Sequence, residues 1–587
     1  MSTPRAATPR PLRAEPLRAR PLPRRTLLAT GAAGGVLAGL APGVTSTPAA
    51  AAAARDGGGA FRHGVASGDP LPTAVVIWTR VTPTPASTPG SGKGPRVRVE
   101  WEVATDAQFR HVVRSGSFGT GPERDHTVKV DVKGLQPARW YHYRFRWDGR
   151  TSRVGRTRTA PAHDATPDHL RFGVVSCANL QAGWFSAYRG LAARDDLHAV
   201  VHLGDYLYEY GPGEYGYGPD DRDIRSHQPA HEMVSLADYR QRHGQYKRDP
   251  DLQDLHAKYP WVVTWDDHET ANDAWRDGAE NHTPGRGAGG EGSYRDRRAR
   301  AHRAYDEWMP ARLDGSVRVG DGDRLFRRLR FGTLAELSML DLRTHRDRQV
   351  QPVAPTPVPD PDPEVSDPDR TITGRRQMDW LQDSLSHDAV QWKVVGNPVM
   401  IAPVNFGAVP DDLVDPVNDA TGLLPADGAP YNVDQWDGYT DDRREVFAHI
   451  RRHRVSDALF ITGDIHSGWA AELPYDASTY PLGESAGVEF VCTSVTSNNL
   501  KDITGSPART TSVPVEEAIK ANNRHVKYLD FDSHGFSVLD LTAERAQMDW
   551  FVIGDRADRD TPITWSTSWA TRTGTGRVES VDGPVGS

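Results

Sequence analysis

Residues 200–211 read VVHLGDYLYEYG. Val200, Val201 and Leu203 have the near-continuous apolar character of a strand covered on both faces. The run ends at Gly204 and a carboxylate, Asp205, with the phenol of Tyr208 three residues on. Runs of the same kind recur as LRFGVVS (170–176), WVVTWDD (261–267), LAELSMLDLR (334–343), WKVVGNPV (392–399), DALFITGD (457–464) and GVEFVCTSVTS (487–497). Between them, helical periodicity runs through residues 235–258, 294–309, 375–387 and 441–453. Buried strands alternating with amphipathic helices predict an α/β domain over residues 169–560, with SHGFSVLDLTAERAQMDWFVI (533–553) as a closing hairpin.

Five of these strands end in groups that can hold a metal. They carry Cys177 and Asn179; Asp205 and Tyr208; Asp266, Asp267, His268 and Glu269, with Asn272 and Asp273 following; Asp341 and Arg343; and Asp464 and His466. Taken singly, each has a plain reading as a turn, an N-cap or a small core filler. Together they are costly to bury without a shared purpose, and ligands of open α/β sheets gather outside the carboxyl ends of strands. A carboxylate between two cations can bridge them, and two cations can clamp the attacking and leaving oxygens of phosphoryl transfer. Asp205 is the natural bridging group. Phenolate and thiolate suit a trivalent metal such as iron, whereas aspartates and an Asn oxygen suit calcium. Cys492 sits in an apolar run and reads as a core residue; a Cys177–Cys492 disulfide, the ordinary pairing in an oxidising compartment, would remove Cys177 as a ligand.

The remaining chain divides by composition. Residues 1–54 hold seven arginines, one acid (Glu15) and no lysine, in the order basic, apolar, small. Arg24-Arg25 before Leu27-Leu28 and an Ala-rich end reads as a twin-arginine signal, which predicts export and a secreted or cell-wall location. Residues 55–160 show short alternating runs between turn residues, a β-sandwich of immunoglobulin or fibronectin type; 161–168 reads as a linker and 561–587 as a tail. With 70 basic against 78 acidic side chains the net charge is −8, which argues against non-specific nucleic-acid binding. The apolar part of the leader is short and glycine-rich, so no stable membrane insertion is expected. The loops at 276–293 and 351–370 read as solvated excursions controlling access.

The motifs SCAN, GDYLYEYG, WDDHE, DLRTHR, WDGY (436–439) and GDIHSGW, together with FRHGVASGDP near the start, resemble the PhoD-type alkaline phosphatases of the metallophosphoesterase superfamily. The resemblance implies a metallophosphoesterase-type β-sheet sandwich flanked by helices behind the all-β domain. It implies one ferric iron held by Cys177, Asp205, Tyr208, Asp464 and His466, and one or two calcium ions facing Asp205, the Asp266/Asp267 pair and Asn272. Arg343 is then a phosphate contact or one half of a buried salt bridge, and His268 a proton donor to the leaving group or a support behind the ligands, with metal-activated water or hydroxide as nucleophile. The implied substrates are phosphomonoesters and phosphodiesters; some calcium-dependent phospholipases D resemble the same family, which leaves a lipid substrate open. An exported, non-catalytic binding protein is the reading from another class.

Overall fold

The structure, a computed structural model, describes residues 59–285, 287, 289–313, 325–350, 363–406, 429–430 and 432–586. The leader at 1–54 and most of the 351–370 loop lie outside these residues.

The strand Ala199–Leu203 sits in a ten-stranded sheet between Leu170–Val175 and Pro260–Thr264, all three parallel. Its alternation is resolved as the sequence requires: Ala199, Val201 and Leu203 pack into the space between two sheets, while Val200 faces helices on the outside. The second sheet has seven strands, with Ala335–Met339, Trp392–Asn397, Ala458–Thr462 and Ser485–Val491 parallel at its centre. Phe172, Val201 and Leu203 from one sheet meet Leu337, Val394, Ile461 and Phe490 from the other. Helices Ser186–Ala193, Leu236–Tyr246, Pro250–Lys258 and Tyr294–Trp308 cover one outer face, and Arg375–Leu385 and Thr440–His453 the other. The result is a helix–sheet–sheet–helix sandwich with the strand ends gathered along one edge.

Three features differ from the linear reading. The helical stretch 235–258 is two helices, broken where Asp249 caps Leu252 N–H ahead of Pro250. The β-rich N-terminal segment forms two layers, yet one of them, Val65–Leu71, Ala74–Arg80 and Thr127–Lys133, continues the ten-stranded sheet, because Val65–Leu71 pairs in parallel with Pro260–Thr264. Residues 561–587 are not a free tail: Ile563–Arg572 and Glu579–Val581 extend the same sheet beyond Arg545–Ile553, and Val578 enters the intersheet core. ITWSTSWATR carries the period-two pattern that pairing requires.

Candidate metal centre

Two loops must approach closely for the strand-end groups to meet. Gly204 (φ 109°) makes the turn, and a Cβ there would lie 2.5 Å from Asp266 Cβ. The Glu269 carboxylate then ties both strand ends together, accepting from the backbone N–H of Asp205 (3.1 Å), Tyr206 (2.7 Å) and Asp266 (2.9 Å). Cys177, Asp205, Asp464 and His466 all adopt left-handed backbone, φ 59°, 55°, 62° and 51°. That conformation costs an L-residue about 1–2 kcal/mol, and four residues whose side chains converge adopt it here.

Asp205 is common to three groups of potential ligands, each with its donor atoms within 4.8 Å of one another: Cys177 with His466, Asp267 with His268, and Asp266 with Asp267 and Asp464. Asp205 Oδ2 accepts from Tyr208 Oη at 3.0 Å, while Oδ1 is buried without a partner. Tyr208 Oη also lies 3.3 Å from His466 Nε2 and accepts from Ser497 Oγ at 2.6 Å. Both cysteines are free, so Cys177 stays available as a ligand, and Cys492 is a buried core residue.

The electrostatics are unfavourable as they stand. Burial, reinforced by Asp267 and Asp266, pushes the Asp205 carboxyl well above the usual range, and Asp464 is raised by burial and by Asp266 and Asp434. Burial, then Asp205 and Asp464, likewise raises the Cys177 thiol, and burial, then Asp205 and Cys177, the Tyr208 phenol. Arg343 is the guanidinium that enters this set, and it is fully engaged: Nε and Nη2 clamp both oxygens of Asp266 (2.5 and 2.9 Å), and Nη1 and Nη2 clamp Asp434 (both 2.9 Å). A buried set of four carboxylates, a thiol and a phenol around one orphaned oxygen fits bound cations: cations offset the mutual repulsion and a strongly polarising one deprotonates the soft donors.

A cavity of about 310 Å³ opens onto the group, lined by Asp267, His268, Asn272, Asp464 and His466 together with Tyr210 and Tyr215. It separates the Asp266/Asp267 pair: Asp267 faces the cavity, whereas Asp266 is held by Arg343. Asn272 lines the same cavity, with its side-chain amide donating to Glu280 on the exposed side. Asn179 is turned outward from the ligand set, donating to Tyr215 O at 2.7 Å, and Asp341 caps its own turn by accepting from Arg343 N–H and Thr344 N–H. Burial lowers His268, but Asp267, Glu209 and Asp205 together hold it well above the ordinary imidazole value. Glu209 bonds its Nδ1 at 2.8 Å.

Sequence reasoning passed over Glu209, Asp434, Gln435 and Tyr215. Gln435 donates to Asp464 Oδ2 at 2.5 Å, and Tyr215 Oη lies 3.3 Å from His466 Nδ1. Their signal was position alone: Glu209 is inside GDYLYEYG, and Asp434-Gln435 immediately precede WDGY.

The fold and this centre define a metal-dependent phosphoric ester hydrolase. The profile of the PhoD-like phosphatases matches residues 172–550 and that of their N-terminal domain residues 46–161, and the chain belongs to this family. Alkaline phosphatase D of Bacillus subtilis (strain 168) is 36% identical over 493 residues, 84% of this chain and 77% of the relative. A solved structure of PhoD superposes with a TM-score of 0.77 at 33% identity, covering 90% of this chain and 93% of that one.

Proposed function

We propose that the protein hydrolyses phosphomonoesters and phosphodiesters with one ferric iron on Cys177, Asp205, Tyr208, Asp464 and His466 and with calcium on the Asp205, Asp267 and Asn272 side. The observation that carries this is the orphaned, buried carboxylate oxygen of Asp205 at the point common to all three ligand groups. Such a metal pair supplies Lewis acidity, acidifying a water and neutralising charge on the phosphate oxygens. Asp205 holds the two halves of the site in register. Arg343 acts first on the protein, fixing Asp266 and Asp434, which supports a positioning role more than direct phosphate contact. Glu209 holds the Nδ1 proton of His268, so the imidazole faces the cavity in a fixed orientation and carries a proton for the departing oxygen.

Export by the twin-arginine route belongs to the same proposal and rests on the composition of residues 1–54. Among the described residues no helix is long and apolar enough to cross a membrane. Comparing a nitrophenyl monoester, its bis-ester and phosphatidylcholine under calcium tests the substrate class, and a strong lipid preference would overturn it.

The decisive variant is Asp205→Asn. It keeps shape and loses the shared charge, so iron and calcium content should fall together and kcat should drop about 10³-fold or more. Elemental analysis alongside steady-state assay checks this; retention of both metals and of activity would refute the bridging role.

A further inference from the structure

A second cavity, about 710 Å³, lies between the loop at residues 82–91 and the helices Leu236–Tyr246 and Pro250–Lys258. None of its lining residues lines the cavity at the metal centre. Arg242 stands between the two, donating to Gln228 O beside the second cavity and to the carbonyls of Tyr208 and Tyr210 behind the first.

The charge on its walls is unbalanced. Arg62, Arg225 and Arg248 line it against a single acid, Asp249, which Arg225 already neutralises at 2.5 Å. Arg62 and Arg248 are exposed, and among the described residues neither pairs with a carboxylate. Lys247 is buried next to Arg248 and contacts His256 Nε2 at 2.9 Å and the rings of Trp78 and Tyr206; burial pushes its amine well below the usual lysine value, so the positive charge of these walls rests on the arginines. His63, only 3% exposed, lines the cavity and keeps Nδ1 without a hydrogen-bond partner. Burial, then Arg80, Arg248, Arg62 and Lys247, hold that imidazole neutral; its charged neighbours are all cations. The half-buried Trp184 and the amides of Gln241 and Gln245 complete the wall.

Two guanidiniums without a carboxylate partner, of which only Arg62 Nε is used, on Gly59 O at 2.9 Å, a buried unpartnered ring nitrogen and the amide of Gln241 are the groups that recognise a tetrahedral oxyanion. We propose that this cavity is a second, non-catalytic phosphate site, with Arg62 and Arg248 supplying the charge. Two sources share that chemistry: free phosphate, and the phosphoryl end of an organic ligand whose apolar part rests on Trp184.

The test is calorimetric titration of the metal-loaded, full-length protein with inorganic phosphate and, separately, with non-hydrolysable phenylphosphonate. The wild type should show two binding events per chain. The double variant Arg62→Ala/Arg248→Ala should lose one of them, weakened at least about tenfold, since each charge-assisted bond removed is worth that much. Its kcat on nitrophenyl phosphate should be unchanged, which also reports that it has folded, and Arg62→Lys/Arg248→Lys should recover much of the binding. Equal affinities for the two ligands identify free phosphate as the occupant; tighter phenylphosphonate binding that is abolished by Trp184→Ala identifies an organic phosphoryl group. A single binding event in the wild type, two retained events in the double variant, or loss of activity along with the second event would each overturn the proposal.

Discussion

Glu209 shows how much of the centre depends on residues that bind no metal. It is fully buried; one oxygen holds His268 Nδ1 at 2.8 Å, and the other accepts from Asn272 N–H (2.7 Å) and Asn281 Nδ2 (2.8 Å). In Glu209→Gln the amide would present N–H to Nδ1, leaving His268 without its anionic partner. Metal content on the Cys177 side should be retained, while kcat falls about 10–100-fold, the usual cost of losing a carboxylate behind a functional histidine. Glu209 is among the charges that raise His268, so its removal lowers the imidazolium pKa, and the alkaline limb of the pH–rate profile should move to lower pH. A variant with reduced kcat and an unmoved alkaline limb would mean that the pair only packs. At this scale the sequence was informative wherever a side chain able to hold a metal sits directly after a strand, as Cys177, Asp205, Asp464 and His466 do. It was silent on Glu209 and Asp434 because their roles are set by partners distant in the chain: Asp434 meets Arg343, 91 residues away.

Among the elements, the turn after Ala199–Leu203 carries the largest local constraint. Gly204→Ala would strain an L-residue at φ 109° and place its Cβ 2.5 Å from Asp266 Cβ and 2.8 Å from Asp266 N. Neither neighbour can yield, since Asp266 is clamped by Arg343 and its N–H by Glu269. The expected cost is about 2–4 kcal/mol, combining backbone strain and overpacking, with weaker metal retention because Asp205 is displaced with the turn. Denaturant titration with elemental analysis reads both; wild-type values for each would show that the two loops do not need their close approach. The parallel strands themselves were legible, because covering on both faces leaves unbroken apolar runs. Their division between two sheets was not, since an apolar run carries no record of which neighbour satisfies its backbone. The break within 235–258 was written in the sequence as Asp249-Pro250, and the helical period on either side masks it.

For the whole molecule, the question is whether the N-terminal layers and the α/β sandwich unfold separately, as two domains joined by residues 161–168 would. The contacts between them argue against it. Ser67 and Gly68 pair with Pro260 and Trp261 inside one continuous sheet, so separation would bare a strand edge in the middle of the sandwich. Trp78 Nε1 donates to Glu307 O at 2.9 Å, and its ring packs 5.7 Å from Trp308. Asp69, 1% exposed, is clamped by Arg327 at 2.6 Å, and Lys129 meets Asp306 at 2.5 Å. These pairs fix the register in which the layers seat, while the shared sheet edge and the buried Trp78 carry the energetic argument, since parted charges would regain water. The C-terminal strands add to the same sheet, so both ends of the described chain are fastened to one core. Strand alternation exposed the N-terminal layers as β structure, but not this edge-to-edge continuity, because pairing partners more than 190 residues apart leave no local pattern. Urea unfolding of the metal-loaded protein should therefore give coincident midpoints by far-UV circular dichroism and tryptophan fluorescence, with an m-value matching exposure of the entire surface. Two resolved transitions, the first reporting loss of the N-terminal β structure with phosphatase activity intact, would show that the shared sheet does not couple the halves energetically.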